Sequence, residues 1–113
     1  MSGELSVRAA AQGDRAARAL ARLAEDVEVA GLPAQARLLR DASGDLGALA
    51  FRAARAAGVT AAHIVQFARP IATSCEACVA DLGASGLDGL AERAKAVQIV
   101  VEGLSRDAAA ASG

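Results

Sequence analysis

Cys75 and Cys78 are the side chains in this 113-residue chain whose type and spacing most directly invite chemistry. The run Cys-Glu-Ala-Cys sets two thiols one helical turn apart, the spacing of a dithiol redox pair or of half a metal site. A helix that begins at Thr73 or Ser74 would turn its N-terminal dipole on Cys75 and favour the reactive thiolate. In an unbroken helix both thiols instead fall on an apolar seam, where burial raises their pKa and makes them inert. They are then small core residues, a role cysteine fills readily.

A structural zinc ion needs four ligands, and one chain offers Cys75, Cys78 and a neighbouring Glu76 or Asp81. Two chains meeting at this seam would supply four cysteines, and Cu(I) can be held by two thiolates alone. Cys75 and Cys78 are therefore the candidate ligands, with copper or zinc as the implied ion. No other cofactor is expected. His63, the single histidine, precedes Cys75 by twelve residues, about 18 Å along a straight helix. It continues a polar stripe with Gln66, Thr73 and Glu76 and is expected on a solvated face. Histidine phosphotransfer bundles carry lysine three residues and glycine four residues after their histidine; Gln66 and Phe67 stand there in this chain. The glycines from Gly83 to Gly89 lack the Lys-Ser/Thr of a phosphate-binding loop. No Ser/His/Asp set has a local signature.

The segment Ile71-Ala-Thr-Ser-Cys75-Glu-Ala-Cys78-Val-Ala-Asp81 resembles the cysteine segment of the alkylhydroperoxidase-like family, an all-helical fold with a peroxidatic CxxC pair. That resemblance implies a thiol site at Cys75 and Cys78. The family places a relay histidine four residues after the second cysteine, where this chain has Leu82. The segment is also similar to helical bundles that store copper, which carry many cysteines at CxxxC spacing.

The elements that must hold these residues are written in heptads. One seam runs Ile64, Ala68, Ile71, Cys75, Cys78, Leu82, and another Leu87, Leu90, Ala94, Val97, Val101, Leu104. An earlier helix carries Leu5, Ala9, Ala16, Leu20, Leu23, Val27 and Ala30; the next carries Leu39, Ala42, Leu46, Leu49, Ala53 and Ala56. Alternating spacings of four and three place such residues on one side of a helix, to be buried against other helices. Alanine fills 32 positions, against 27 for Leu, Val, Ile, Phe and Met together. Alanine favours helix everywhere and permits close helix approach, but it contributes little burial per residue. The expected fold is an all-α, alanine-rich, antiparallel up-down-up-down four-helix bundle, one domain over residues 1–113.

Helix boundaries follow from local signals. Helix 1 is expected from Glu4 to Ala30, braced by the pairs Glu4–Arg8 and Asp14–Arg18, with Arg8, Arg15 and Arg22 beside its seam every seventh residue. Gly31-Leu32-Pro33 ends it and starts helix 2, which reaches Ala57 before Gly58 stops it. Gly44 and Gly47, inside helix 2, mark close packing or a break. Thr60 is the expected N-cap of helix 3, which runs to Leu82. A Gly83–Gly86 loop leads to helix 4, from Leu87 to Ala110, with a frayed alanine tail. Pro70 conflicts with its helix, because it loses a hydrogen bond and clashes with the preceding turn. Helix 3 is thus expected to kink at Pro70 or to break there and restart, Thr73 and Glu76 having the spacing of a capping box.

Twelve basic and thirteen acidic residues leave a net charge of −1, and Phe51 and Phe67 are the only aromatics. Neither nucleic-acid phosphates nor unstacked bases find a platform here. No apolar window reaches a membrane span, the N-terminus does not read as a signal peptide, and two cysteines suit a reducing cytoplasm. Apolar residues also stand off the seams: Val65 and Phe67 on helix 3, Ile99 and Val100 on helix 4. They give those helices more apolar surface than one core needs, the mark of a partner surface. The sequence therefore points to a non-enzymatic, cytoplasmic interaction or regulatory module, a homodimer or protein-binding bundle using helices 3 and 4. The alternative is a thiol-redox or metal-binding bundle centred on Cys75 and Cys78.

Overall fold

The computed structural model describes residues 2–55 and 59–112. Four helices follow in order: α1 (Ser2–Val29), α2 (Pro33–Ala54), α3 (Ala61–Ala84) and α4 (Asp88–Ser112). The expected seams form the core, except that Ala30 is exposed in the turn after α1 ends at Val29, and Leu87 and Leu90 are only half-buried. Leu20, Leu23, Val27, Leu39, Leu46, Ile64, Leu82, Val101 and Leu104 are fully buried, with Cys75 and Cys78 among them. Helix α1 lies beside α2 and α4, and α3 lies beside the same two; α1 and α3 barely touch across the diagonal. Among the described residues α2 and α4 do not meet. Packing is densest inside the α1/α2 and α3/α4 pairs, so two hairpins lie side by side in a 43 × 23 × 17 Å envelope.

Both hairpins turn by the same device. At the end of α1 the Leu32 N–H donates to the Val27 carbonyl at 3.2 Å and the Gly31 N–H to that of Glu28 at 3.0 Å. At the end of α3 the Leu87 N–H donates to Leu82 at 2.9 Å and the Gly86 N–H to Gly83 at 3.0 Å. These are Schellman closures, which need a left-handed residue. Gly31 (φ 93°) and Gly86 (φ 76°) supply it, while Leu32 and Leu87 fold back onto the core.

Several expected boundaries shift. Helix α3 continues to Ala84, past the expected Leu82, and α4 continues to Ser112, so the alanine tail is helical rather than frayed. Ala108, buried by the rest of the bundle, anchors that last stretch. Helix α2 ends at Ala54; the expected stop at Gly58 lies outside the described residues, as does seam residue Ala56.

Helix α3 runs unbroken from Ala61 to Ala84 with Pro70 inside it. The break-and-restart alternative is therefore corrected, and so is the capping role of Thr73. Its Oγ1 donates to the Arg69 carbonyl at 3.1 Å, a bond back to the preceding turn within a continuing helix. Proline is tolerated because Pro70 and Gln66, whose carbonyl loses its donor, are both exposed and open to water. The true start of α3 is Thr60: its Oγ1 accepts from the His63 N–H at 3.2 Å, and its own N–H donates to His63 Nδ1 at 3.4 Å.

Close packing in the first hairpin centres on Gly13, where an added Cβ would lie 3.1 Å from the Ala50 Cβ. Ser43 Oγ, one turn from Gly47, donates to the Ala17 carbonyl at 2.7 Å. Gly47 makes only ordinary contact with Ala17, and Gly44 faces open space. The two hairpins are tied across α1 and α4 by Arg8–Asp107 at 3.1 Å and Arg93–Asp26 at 2.7 Å. Asp14–Arg18 forms as expected at 3.2 Å, whereas Arg8 turns to Asp107 rather than to Glu4. Glu28 pairs with Arg40 of α2, so the acidic cluster ending α1 reaches both neighbouring helices.

Candidate functional site

Cys75 and Cys78 sit mid-seam on α3, both free thiols and both fully buried. Because α3 does not restart near Thr73, no helix N-terminus faces Cys75. Burial pushes its pKa from the ordinary 9.0 up to about 12, and the nearby charges of Cys78 and Glu102 push the same way. The Cys78 pKa is also raised, first by burial and then by Asp81. The Cys78 thiol points toward the Gln35 carbonyl of α2, at 3.9 Å. Two thiols held this way are neutral at physiological pH, and a neutral thiol is a poor nucleophile and a poor metal ligand.

Among the described residues no three His, Cys, Asp or Glu side chains converge as metal ligands. Asp81 is engaged by the Gln35 side-chain amide at 3.3 Å. Thiols of a second chain could reach Cys75 and Cys78 only if the bundle opened. His63 is exposed on the first turn of α3, where its ring and backbone serve the Thr60 cap.

The off-seam apolar residues fall on different faces. Ile99 (55% exposed) and Val100 (38%) line a groove between α1 and α4, with Gln12, Arg15, Ala16 and Ala96. Phe67 (41%) lines the groove between α2 and α3, with Leu38, Asp41, Asp45 and Pro70. Val65 is half-buried against the core. Since α1 and α3 are diagonal partners, these two grooves open on opposite sides of the bundle. The structure thus joins Ile99 to Val100 but separates both from Phe67.

Three further features escape a heptad reading. Leu38 shares the Phe67 groove. Val7 and Phe51 are exposed beside a third apolar groove, on α1 and α2, where the Arg55 guanidinium lies 4.5 Å from the Phe51 ring centre. The off-seam position of all three was the available signal, the one that marked Phe67 and Ile99. Gln98 of α4 is buried; its Nε2 donates to Glu102 at 3.1 Å, and its Oε1 has no partner among the described residues.

No family model, curated protein or solved structure matches this chain. What the site can do follows from its geometry. No helix among the described residues is long and apolar enough to cross a membrane. The two thiols are shut inside, and the exposed features include apolar grooves between helices.

Proposed function

We propose that this chain is a non-enzymatic helical-bundle module that works by protein association, with a homodimer as its smallest self-assembled form. The observation that carries the reading is the pair of interhelical grooves that leave Phe67, Leu38, Ile99 and Val100 exposed. Large apolar side chains grouped in grooves gain free energy when a partner covers them, by about 25 cal/mol per Å² removed from water. A core built largely on alanine gives each chain a modest store of burial, which association would supplement. Two free, buried thiols suit a reducing compartment, and the cytoplasm is the proposed location. The thiol and metal alternative draws no support from a pair of fully buried cysteines.

Sedimentation velocity across a concentration series tests the reading. The wild-type chain should gain mass with concentration, and Ile99→Asp or Phe67→Asp should remove that gain while circular dichroism stays helical. A wild-type chain that remains monomeric throughout overturns self-association.

A further inference from the structure

Cys75 and Cys78 stand one turn apart, yet they lie on opposite sides of the α3 seam. On one side Phe67 and Ile71 meet Leu38 and Ala42 of α2. Cys78, two turns after Ile71, continues that side, and its thiol lies 3.9 Å from the Gln35 carbonyl of α2. On the other side Ala72 and Thr73 meet Glu102 and Ser105 of α4. Cys75, one turn after Ala72, leans that way and lies near enough to Glu102 for the carboxylate to act on its charge. Cys78 therefore sits on the boundary between the two hairpins, and Cys75 inside the second hairpin.

Those two boundaries are not packed alike, the one between the hairpins being the looser. The ion pairs that cross it, Arg8–Asp107 and Arg93–Asp26, are exposed, and exposed pairs stabilise weakly. Within the first hairpin, by contrast, Ser43 bonds to the Ala17 carbonyl and Gly13 lets α1 and α2 close up. The chain links the hairpins only through residues 55–60. Proteins open in cooperative units that coincide with motifs of this kind. We infer that the α1/α2 hairpin is a detachable cover, which lifts from the α3/α4 hairpin as a unit and uncovers Cys78 while Cys75 stays shielded by α4. The lifted state is a partly unfolded one. It bares the apolar seams, so it is sparsely populated, and closing the cover encloses both thiols completely again. Access to Cys78 is gated by the contact between hairpins, and access to Cys75 by the unfolding of the second hairpin itself. This gate does not depend on association with other chains.

Site-resolved alkylation of the wild-type chain tests this, with iodoacetamide as the probe. The thiolate displaces iodide, a C–S bond forms, and the thiol proton passes to the buffer. Mass spectrometry of chains carrying a single adduct locates the thiol that reacted first. In native buffer the adduct should fall on Cys78 at least about fivefold more often than on Cys75, and the ratio should approach one in denaturant that unfolds the chain. The Cys78 rate should also rise with urea below the unfolding transition, because lifting a hairpin exposes surface. Equal labelling in native buffer, or a preference for Cys75, overturns the detachable cover. A Cys78 rate that ignores urea below the transition traces access to a local lift of the first turn of α2 beside Gln35, and it overturns the cover as well.

Discussion

Gly13 of α1 lies against the Ala50 methyl group of α2, so close that a Cβ at residue 13 would stand 3.1 Å from it. The first hairpin is drawn together at this point. Gly13→Val should force the helices apart and destabilise the fold by about 1–3 kcal/mol, the usual cost of overpacking. Gly44 faces open space in the same hairpin. Gly44→Ala should therefore show the propensity gain alone, about 1 kcal/mol, or several degrees in Tm for a domain of this size. Thermal unfolding of the two variants separates the packing role from the conformational one.

Cysteine reactivity reports directly on the interior of α3. Alkylation of Cys75 and Cys78 in the folded chain should be slow near neutral pH and speed up only with unfolding. Stability should also respond to alkali. Below pH 9.0 the Cys75 thiol is protonated in both the folded and the unfolded chain. Above it the unfolded chain releases a proton that the folded chain keeps, so stability falls as pH rises toward about 12. Cys75→Ala should lower stability near neutral pH through its cavity and make this alkaline decline shallower, so that the two curves converge as pH rises. A Cys75 that alkylates rapidly at pH 7 in the folded chain would contradict its position in the core.

The uninterrupted α3 makes Pro70 a cost without a break to justify it. Pro70→Ala restores an N–H opposite the Gln66 carbonyl and should raise stability by about 1–3 kcal/mol in denaturant unfolding. A loss of stability instead would show that the pyrrolidine packing beside Ile71 and Phe67 outweighs the missing hydrogen bond.

Gln98 carries a buried oxygen with no partner among the described residues. Leaving such a group unsatisfied costs about 1–3 kcal/mol, and an apolar residue of similar shape avoids that cost. Gln98→Met should therefore hold or raise the unfolding midpoint, even though it gives up the bond to Glu102. A midpoint lowered by several degrees would mean that the amide oxygen is satisfied in solution, by an enclosed water for instance.

Most of the bundle was legible in the sequence because a heptad seam encodes burial locally. Every residue from Ile64 to Leu82 on the α3 seam is buried, and Thr60 caps the helix as its type and position imply. Pro70 suggested a break because its local penalty is real, but the six seam residues and Ala72, all buried in one continuous helix, outweigh it. The cysteine pair was legible in type, yet its burial in the core depends on that continuity. The acidic cluster of Asp26 and Glu28 had no visible purpose until Arg93 and Arg40, distant in sequence or on another helix, came beside it. Ile99 and Phe67 each signalled exposure through their off-seam positions. That they face opposite ways depends on the order of helices around the bundle, which no single helix records.

The unequal packing, tight within each hairpin and looser between them, also bears on how the chain reaches this state. Its densest contacts join segments linked by turns of three residues or fewer, at Ala30–Leu32 and Ser85–Leu87. Little chain entropy is spent in closing such loops, and topologies of this kind fold in the microsecond-to-millisecond range. The α1/α2 hairpin has all its own partners once residue 54 has been made. It can form during synthesis, ahead of the second hairpin, and docking the two halves is left as the slower event.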